Sequence, residues 1–317
     1  MMQQTAATTF LTTFQFGNIR LEKQERLGSG AFGVVYKVQD PATSNFYALK
    51  SIFCLNASAL QNVVREAEML KRISHPNIIA ILGTEQVNGT QGSLHMLLLT
   101  EYCPGGNFNQ RLPSPSTNQM NLKWMKQMAD AIAYLHSHDV VHRDLKPDNV
   151  FLTATEDVKL GDFGLAREYI AFTQIQGYAQ NISAPYYMQS EVGTENYMAP
   201  EVFSIRGYSA KADVFGLGVL LYAILERDHV IMDGKAYYGA FVAIPNLPGR
   251  IGLGFALGTI NPSFNIRFSS SSNYFGSLQI LIRQALNYDP HNRPTAQLVY
   301  QNLVAIEQRF NENCNTL

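Results

Sequence analysis

The sequence predicts an α+β protein, with a β-rich first third carrying one helix and a mainly helical remainder. Three observations predict it. Short runs rich in Val, Ile, Tyr and Phe recur between Leu21 and Thr100, separated by Gly, Pro and Asn turns. Apolar residues then fall at three-four spacing over 121–138, where Leu122, Met125, Met128, Ala129, Ile132 and Leu135 share one helix face. Val214–Leu225 is an apolar run of twelve residues, which suits a buried helix and falls short of the about twenty that span a bilayer.

The 317 residues give room for about two core-sized units at roughly 150 residues each. A hydrophobic content of 46% with 15% charged residues marks a globular chain. The net charge of -1 gives no drive toward nucleic acid or anionic membrane, so neither is expected as a partner. Cys54, Cys103 and Cys314 have no paired spacing, which points to reduced thiols and an intracellular location. The start is Thr- and Gln-rich without a basic stretch or apolar core, so residues 1–19 are expected to be a tail rather than a secretory signal. Pro245, Pro248 and Arg250 interrupt the apolar stretch Gly239–Gly258, and a soluble protein is expected.

From Leu21 the pattern is strand-like. Leu27–Tyr36 contains G-x-G-x-x-G-x-V, and glycines there let backbone N–H groups approach a phosphate chain without a Cβ clash. A helix should follow in a dinucleotide fold, but Val34–Val38 is β-like, an Asp40-Pro41 turn comes next, and Phe46–Ile52 is β-like again. No G-K-[ST] occurs, which excludes an NTPase P-loop. Lys50 lies on the second strand of this hairpin. A helix over Ala57–Ile73 carries Val63, Val64, Ala67, Leu70 and Ile73 on its apolar face, and Glu66 or Glu68 could supply a partner for Lys50. Strands are expected at Ile78–Leu82 and Leu94–Thr100, before the turn-rich Glu101–Gly106 and a loop over Pro113–Asn118.

His142-Arg143-Asp144-Leu145-Lys146-Pro147-Asp148-Asn149 puts a carboxylate, a lysine and an amide on one loop, and Asp162-Phe163-Gly164 begins thirteen residues after Asn149. Phosphoryl transfer needs such groups: an acceptor for the attacking hydroxyl's proton, a cation for the migrating phosphate and oxygen ligands for a metal. His136, His138 and His142 have no nearby cysteine or fourth ligand, so surface and structural roles are expected in place of zinc.

Together these motifs resemble those of eukaryotic-type protein kinases over about residues 20–305, and the Lys146 position resembles the serine/threonine-directed branch. The resemblance implies a bilobal fold: an N-lobe at 20–102, a C-lobe at 103–309 with a divergent, loop-rich insert at about 227–277, and a C-terminal tail at 310–317. It implies ATP and Mg²⁺ as cofactors and protein Ser/Thr hydroxyls as substrates. Leu27, Gly28, Gly30, Gly33, Val35, Ala48, Thr100, Glu101, Cys103, Asn107 and Phe151 would then hold the nucleotide. Lys50 would bridge its phosphates, with Glu66 as the implied partner ahead of Glu68. Asp144 would orient the hydroxyl, Lys146 and Thr194 would assist, and Asn149 and Asp162 would bind the metal. His142 and Phe163 are expected to stack with Leu70 and Ile81, and Asp148 is expected at the surface.

The segment from Asp162 to Glu201 spans 40 residues and closes in G-T-x-x-Y-M-A-P-E, similar to the activation segment of Ser/Thr kinases. Ser190 has the place of an activating phosphorylation site, filled by an upstream kinase or by autophosphorylation, and Arg143 and Arg167 could receive its phosphate. Ser183 and Thr173 are weaker alternatives. Asp213 is expected to hold the catalytic-loop backbone, and Arg293 to pair with Glu201. A fainter likeness to the PDIK-like group of nuclear Ser/Thr kinases would add the nucleus to the cytoplasm as a location. A scaffold that keeps the fold without the chemistry is the alternative; Lys50, Glu66, Asp144, Asn149 and Asp162 are all present against it. A small-molecule or lipid kinase is weaker still, because the A-P-E segment and Arg293 belong to protein-directed machinery.

Overall fold

The computed structural model describes residues 13–30, 33–88, 93–162, 167–168, 193–203, 209–245, 248–269 and 276–314. They divide into two units. One holds the chain up to Arg72 together with Ala80–Tyr102, and the other holds Ile73–Ile79 and everything from Cys103.

The first unit is an antiparallel sheet of β1 (Thr13–Phe16), β2 (Ile19–Gly30), β3 (Gly33–Gln39), β4 (Phe46–Cys54), β5 (Ile81–Asn88) and β6 (Leu94–Glu101), in the order β1-β2-β3-β4-β6-β5. Strand alternation sends Leu49, Leu97 and Leu99 to one face, where they pack with Leu21, Val38, Phe14, Tyr36 and Tyr47. Helix α1 (Ala57–Leu70) lies against β4, β5 and β6; the Asn56 side chain caps it by accepting from the Ala59 N–H at 2.8 Å, and Ala67 and Leu70 are buried.

One expected strand is divided. Ile78 and Ile79 pair with Leu160 of the second unit, and β5 begins only at Ile81. The cause is Asn77: its amide donates to Val158 O at 2.9 Å and its carbonyl accepts from Leu160 N at 2.8 Å, which binds the turn after His75-Pro76 to that unit.

The second unit contains α2 (Phe108–Arg111), α3 (Asn118–Ser137), α4 (Ala210–Glu226), α5 (Leu253–Thr259), α6 (Gly276–Ala285) and α7 (Ala296–Cys314). Thr117 caps α3 and Ser209 caps α4 through their hydroxyls. Every residue of α4 from Ala212 to Ile224 is buried, as expected of a helix apolar all round. Full burial contributes about 1.5–3 kcal/mol for each of its large apolar side chains. The helix is clamped between α3 and α6; a Cβ at Gly218 would stand 2.9 Å from Ala285 Cβ, so glycine permits that approach. This fixes the first turn of α4, which carries Asp213.

Short strands frame the rest of the unit: β7 (Val140–Val141) pairs with β10 (Arg167–Glu168), β8 (Val150–Leu152) with β9 (Val158–Leu160), β11 (His229–Met232) with β12 (Lys235–Tyr238), and β13 (Phe241–Ala243) with β14 (Arg250–Gly252). The segment expected to be loop-rich thus holds two hairpins and α5. Its glycines serve close packing: Cβ atoms at Gly252, Gly254 and Gly258 would stand 2.5, 1.9 and 2.6 Å from the backbone of Asn196, Met198 and Pro200. No helix among the described residues is long and apolar enough to cross a membrane.

Candidate active site

In the first unit, β-register decides which side chains gather. Val35 stands opposite Lys50, Lys50 opposite Leu98, and Ala48 opposite Thr100. Strand alternation therefore puts Val35, Ala48, Lys50 and Thr100 on the sheet face away from the Leu49 core. At the tip of the first hairpin Gly28 pairs with Val35 and Gly30 with Gly33. Gly33 has φ 127, and a Cβ there would stand 2.0 Å from Ser51 O, so only glycine fits. Leu27 beside it is exposed. The Glu101 N–H donates to Ala80 O at 3.2 Å and its carboxylate accepts from Ala80 N at 2.8 Å. Its carbonyl accepts the Thr100 hydroxyl at 3.2 Å. Glu66 lies on α1.

In the second unit the loop after β7 is suspended from α4. Asp213, fully buried, accepts from His142 N at 2.8 Å, from Arg143 N at 2.9 Å, and from His136 Nε2 at 2.9 Å. Burial pushes its carboxyl up, but the bond from His136, the charges of His136 and His142 and the Arg143 N–H outweigh it and leave it below its ordinary value. The same contacts keep Arg143 at φ 70, a left-handed conformation uncommon for a side-chain-bearing residue. His142 is buried, and burial lowers its imidazole below the usual range. A neutral ring with the proton on Nε2 suits these two contacts: Nε2 lies 3.1 Å from Gly161 O, and Nδ1 accepts from Asp144 N at 3.3 Å.

The reactive groups meet on this frame. Asp144 Oδ2 accepts from Asn149 Nδ2 at 2.8 Å and lies 3.1 Å from Lys146 Nζ. Lys146 Nζ also donates to Thr194 Oγ1 at 3.1 Å. Both of these Asp144 contacts fall on Oδ2; Oδ1 makes neither. Asp144, Lys146, Asn149 and Thr194 are all buried, though 48 residues separate Lys146 from Thr194. Asn149 spends its Nδ2 on the Asp144 carboxylate and carbonyl, so its amide oxygen is directed elsewhere. Its backbone carbonyl accepts from Gly161 N at 2.9 Å, which brings Asp162, at φ 55, beside it. One amide oxygen and one carboxylate form a hard donor set of the kind Mg²⁺ accepts. The fit is chemical: hard oxygens, adjoining backbone, no soft ligand.

Other expected residues have structural engagements. Asn107 caps α2, its Oδ1 accepting from Gln110 N at 3.0 Å, and its backbone bridges to Phe151 on β8. Cys103 and Cys54 are buried, and burial raises the Cys54 thiol above its ordinary value. Asp148 was expected at the surface; it is half-buried and paired with Lys235 at 2.7 Å. The Glu201 carboxylate accepts from Arg293 in bidentate fashion, at 2.6 and 2.8 Å. Ser190, Ser183, Thr173 and Phe163 lie outside the described residues, as do the side chains of Glu66 and Arg167. Residues that sequence reasoning missed are Lys235 and Tyr237, whose only signal was lying in the segment that matched the motifs least well.

Comparison with known proteins agrees with this geometry. The protein kinase domain family matches residues 21–304. A probable serine/threonine-protein kinase of Dictyostelium discoideum is 30% identical over 282 residues, covering 87% of this chain and 49% of the relative. Serine/threonine-protein kinase Nek3 of Mus musculus is 29% identical over 275 residues, 85% of this chain and 46% of the relative. Myosin light chain kinase A of Dictyostelium discoideum is 34% identical over 214 residues, 64% of this chain and 65% of the relative. The chain thus spans about half the length of the first two, and its kinase motifs fall inside the matched stretch. It belongs to the protein kinase domain family.

Proposed function

We propose that this chain is an ATP-dependent protein serine/threonine kinase, in which Asp144 serves the attacking hydroxyl. The observation that carries the reading is the buried cluster of Asp144, Lys146, Asn149 and Thr194. The substrate oxygen attacks the γ-phosphorus of ATP as the bond to the β–γ bridging oxygen breaks; ADP leaves, and Asp144 takes the hydroxyl proton. Lys146 places positive charge where the migrating phosphoryl group is most negative, and Thr194 holds its ammonium in place. Asn149 and Asp162 would hold Mg²⁺, which when bound neutralises phosphate charge. Lys50 orients the α- and β-phosphates with Glu66 as its partner. The glycine hairpin with Leu27, Val35, Ala48, Thr100, Glu101, Cys103, Asn107 and Phe151 takes the rest of the nucleotide. Lys146 and the likeness to serine/threonine-protein kinases support protein Ser/Thr side chains as the substrates.

Phosphorylation of Ser190, by an upstream kinase or in cis, would control this activity, with Arg143 and Arg167 as receiving cations. Full activity of Ser190→Ala in a dephosphorylated sample contradicts that control. The catalytic reading is tested by incubating the chain with Mg·ATP and a generic Ser/Thr substrate beside Asp144→Ala and Asp162→Ala. Incorporation that falls by about 10²–10⁴-fold in Asp144→Ala is the expected result. Absence of incorporation by the unsubstituted chain would make it a scaffold.

A further inference from the structure

The hairpin β11–β12 is built onto the catalytic loop. Lys235 Nζ lies 2.7 Å from Asp148 Oδ1, and Asp148 follows Asp144 on the same short loop. Two residues further along β12 the hairpin packs against Gly193: a Cβ there would stand 2.7 Å from the Tyr237 ring and 3.2 Å from the Met232 methyl at the end of β11. Gly193 directly precedes Thr194, the partner of Lys146. Asn109 fastens the hairpin from below, donating to Ala236 O at 2.9 Å.

Two polar features of this junction are unspent. The Tyr197 hydroxyl is buried without a hydrogen-bond partner among the described residues. Burial, and after it the charges of Asp148, Tyr237 and Glu195, push its ionisation well above the ordinary range, which marks the phenol as a neighbour of the same cluster. The Lys235 side chain is 48% exposed. Its ammonium carries three donors; Asp148 engages it from one side, and the Tyr237 ring, with its centroid 4.9 Å away, accepts no conventional hydrogen bond from it. A bare Asp148 would attract a basic side chain. With Lys235 across it, that carboxylate is matched, and a cation with donors to spare faces the solvent beside the catalytic loop.

We propose that Lys235 is a specificity residue for the protein substrate, selecting an acidic side chain, carboxylate or phosphate, near the acceptor hydroxyl and repelling a basic one. This rests on the protein kinase reading of the chain. A peptide whose hydroxyl reaches Asp144 has its flanking residues alongside Asp148 and the hairpin, so their charge meets Lys235 first.

The test uses the full chain and serine peptides that differ only in one flanking residue: neutral, Asp, phosphoserine or Arg, at each position on either side. The reading is the ratio of kcat/KM for acidic over basic peptides. At its best position the unsubstituted chain should favour acid by about tenfold, chiefly through KM. Lys235→Ala should cut that ratio by about fivefold and Lys235→Glu should reverse it, while Lys235→Arg preserves it. Asp148→Asn should raise it by releasing the lysine, a change of opposite sign that mere disruption of the hairpin cannot give. The Asp and phosphoserine arms tell which anion is preferred. A basic preference in the unsubstituted chain, or an unchanged ratio in Lys235→Glu, overturns the proposal. A chain that phosphorylates no peptide, the neutral one included, overturns the kinase reading beneath it.

Discussion

The catalytic loop and the β11–β12 hairpin stand side by side, but they are held by opposite means. The loop is buried. Its backbone hangs from a fully buried Asp213, its imidazole is neutral, and its side chains answer one another within 3.3 Å. The hairpin is only partly buried: one ion pair ties it to the loop, one amide bond from Asn109 ties it to α2, and the Tyr237 ring packs on Gly193. Buried hydrogen-bonded networks allow few arrangements, because an unmade bond there costs far more than in water. Exposed ion pairs are weak and easily exchanged. Chemistry common to many substrates belongs on the first kind of element, and choice among substrates on the second.

That contrast can be broken from the buried side with large effect. Asp213→Ala strands two backbone N–H groups and His136, and should lower both melting temperature and turnover, the latter by about 10²-fold, if the loop loses the hold it acts through. A variant that melts normally and turns over normally would show that the loop holds itself. Arg293→Met removes one partner of a buried bidentate pair and leaves Glu201 uncompensated, at a cost of about 3–5 kcal/mol. The melting temperature should fall by about 10 °C for a unit of this size, measured by calorimetry.

Changes on the exposed side should leave the melting temperature almost untouched. Lys235→Glu is expected to move the acidic-over-basic peptide ratio by more than about tenfold, enough to reverse it, while the melting temperature shifts by under about 2 °C. The smallest effect lies at Asp157, in the turn of the β8–β9 hairpin. Hydrogen bonds from Lys123, Thr155 and Gln127 lower its carboxyl from 3.8 to about 2. The unfolded chain therefore takes up that proton first on acidification. The stabilisation is complete above pH 4 and is lost as the pH falls toward 2, so the stability gap between the chain and Asp157→Asn should close over that interval. Solvent screening keeps the gap small, at about 0.5 kcal/mol. Denaturant midpoints at stepped pH measure it, and a gap that persists at pH 2 would contradict the assignment.

Much of the buried side was legible in the sequence. Asp213 and Arg293 could be paired with their partners in advance because the runs they stand in resemble those of protein kinases, and the resemblance implies the pairings. The helix at 118–137 was visible through its apolar stripe. What escaped depends on contacts far apart in the chain. Asn77 takes Ile78 and Ile79 away from the expected strand by bonding to Val158, 81 residues later. Gly254 and Gly258 read as loop formers, yet they are a helix face pressed on the backbone of Met198 and Pro200, an approach that spacing alone cannot announce. Lys235 reaches Asp148 across 87 residues. An exposed lysine in a strand carries no local mark of its partner, and the sign of Asp148's role turned on that one contact.

Single-turnover transfer of the γ-phosphate of ATP to a serine peptide should be seen with the unsubstituted chain and should slow by about 10²–10⁴-fold in Asp144→Asn, with the melting temperature of the isosteric variant within a few degrees. Equal transfer by both proteins, with both folded, would show that the proton goes elsewhere and that the buried cluster around Asp144 is structural.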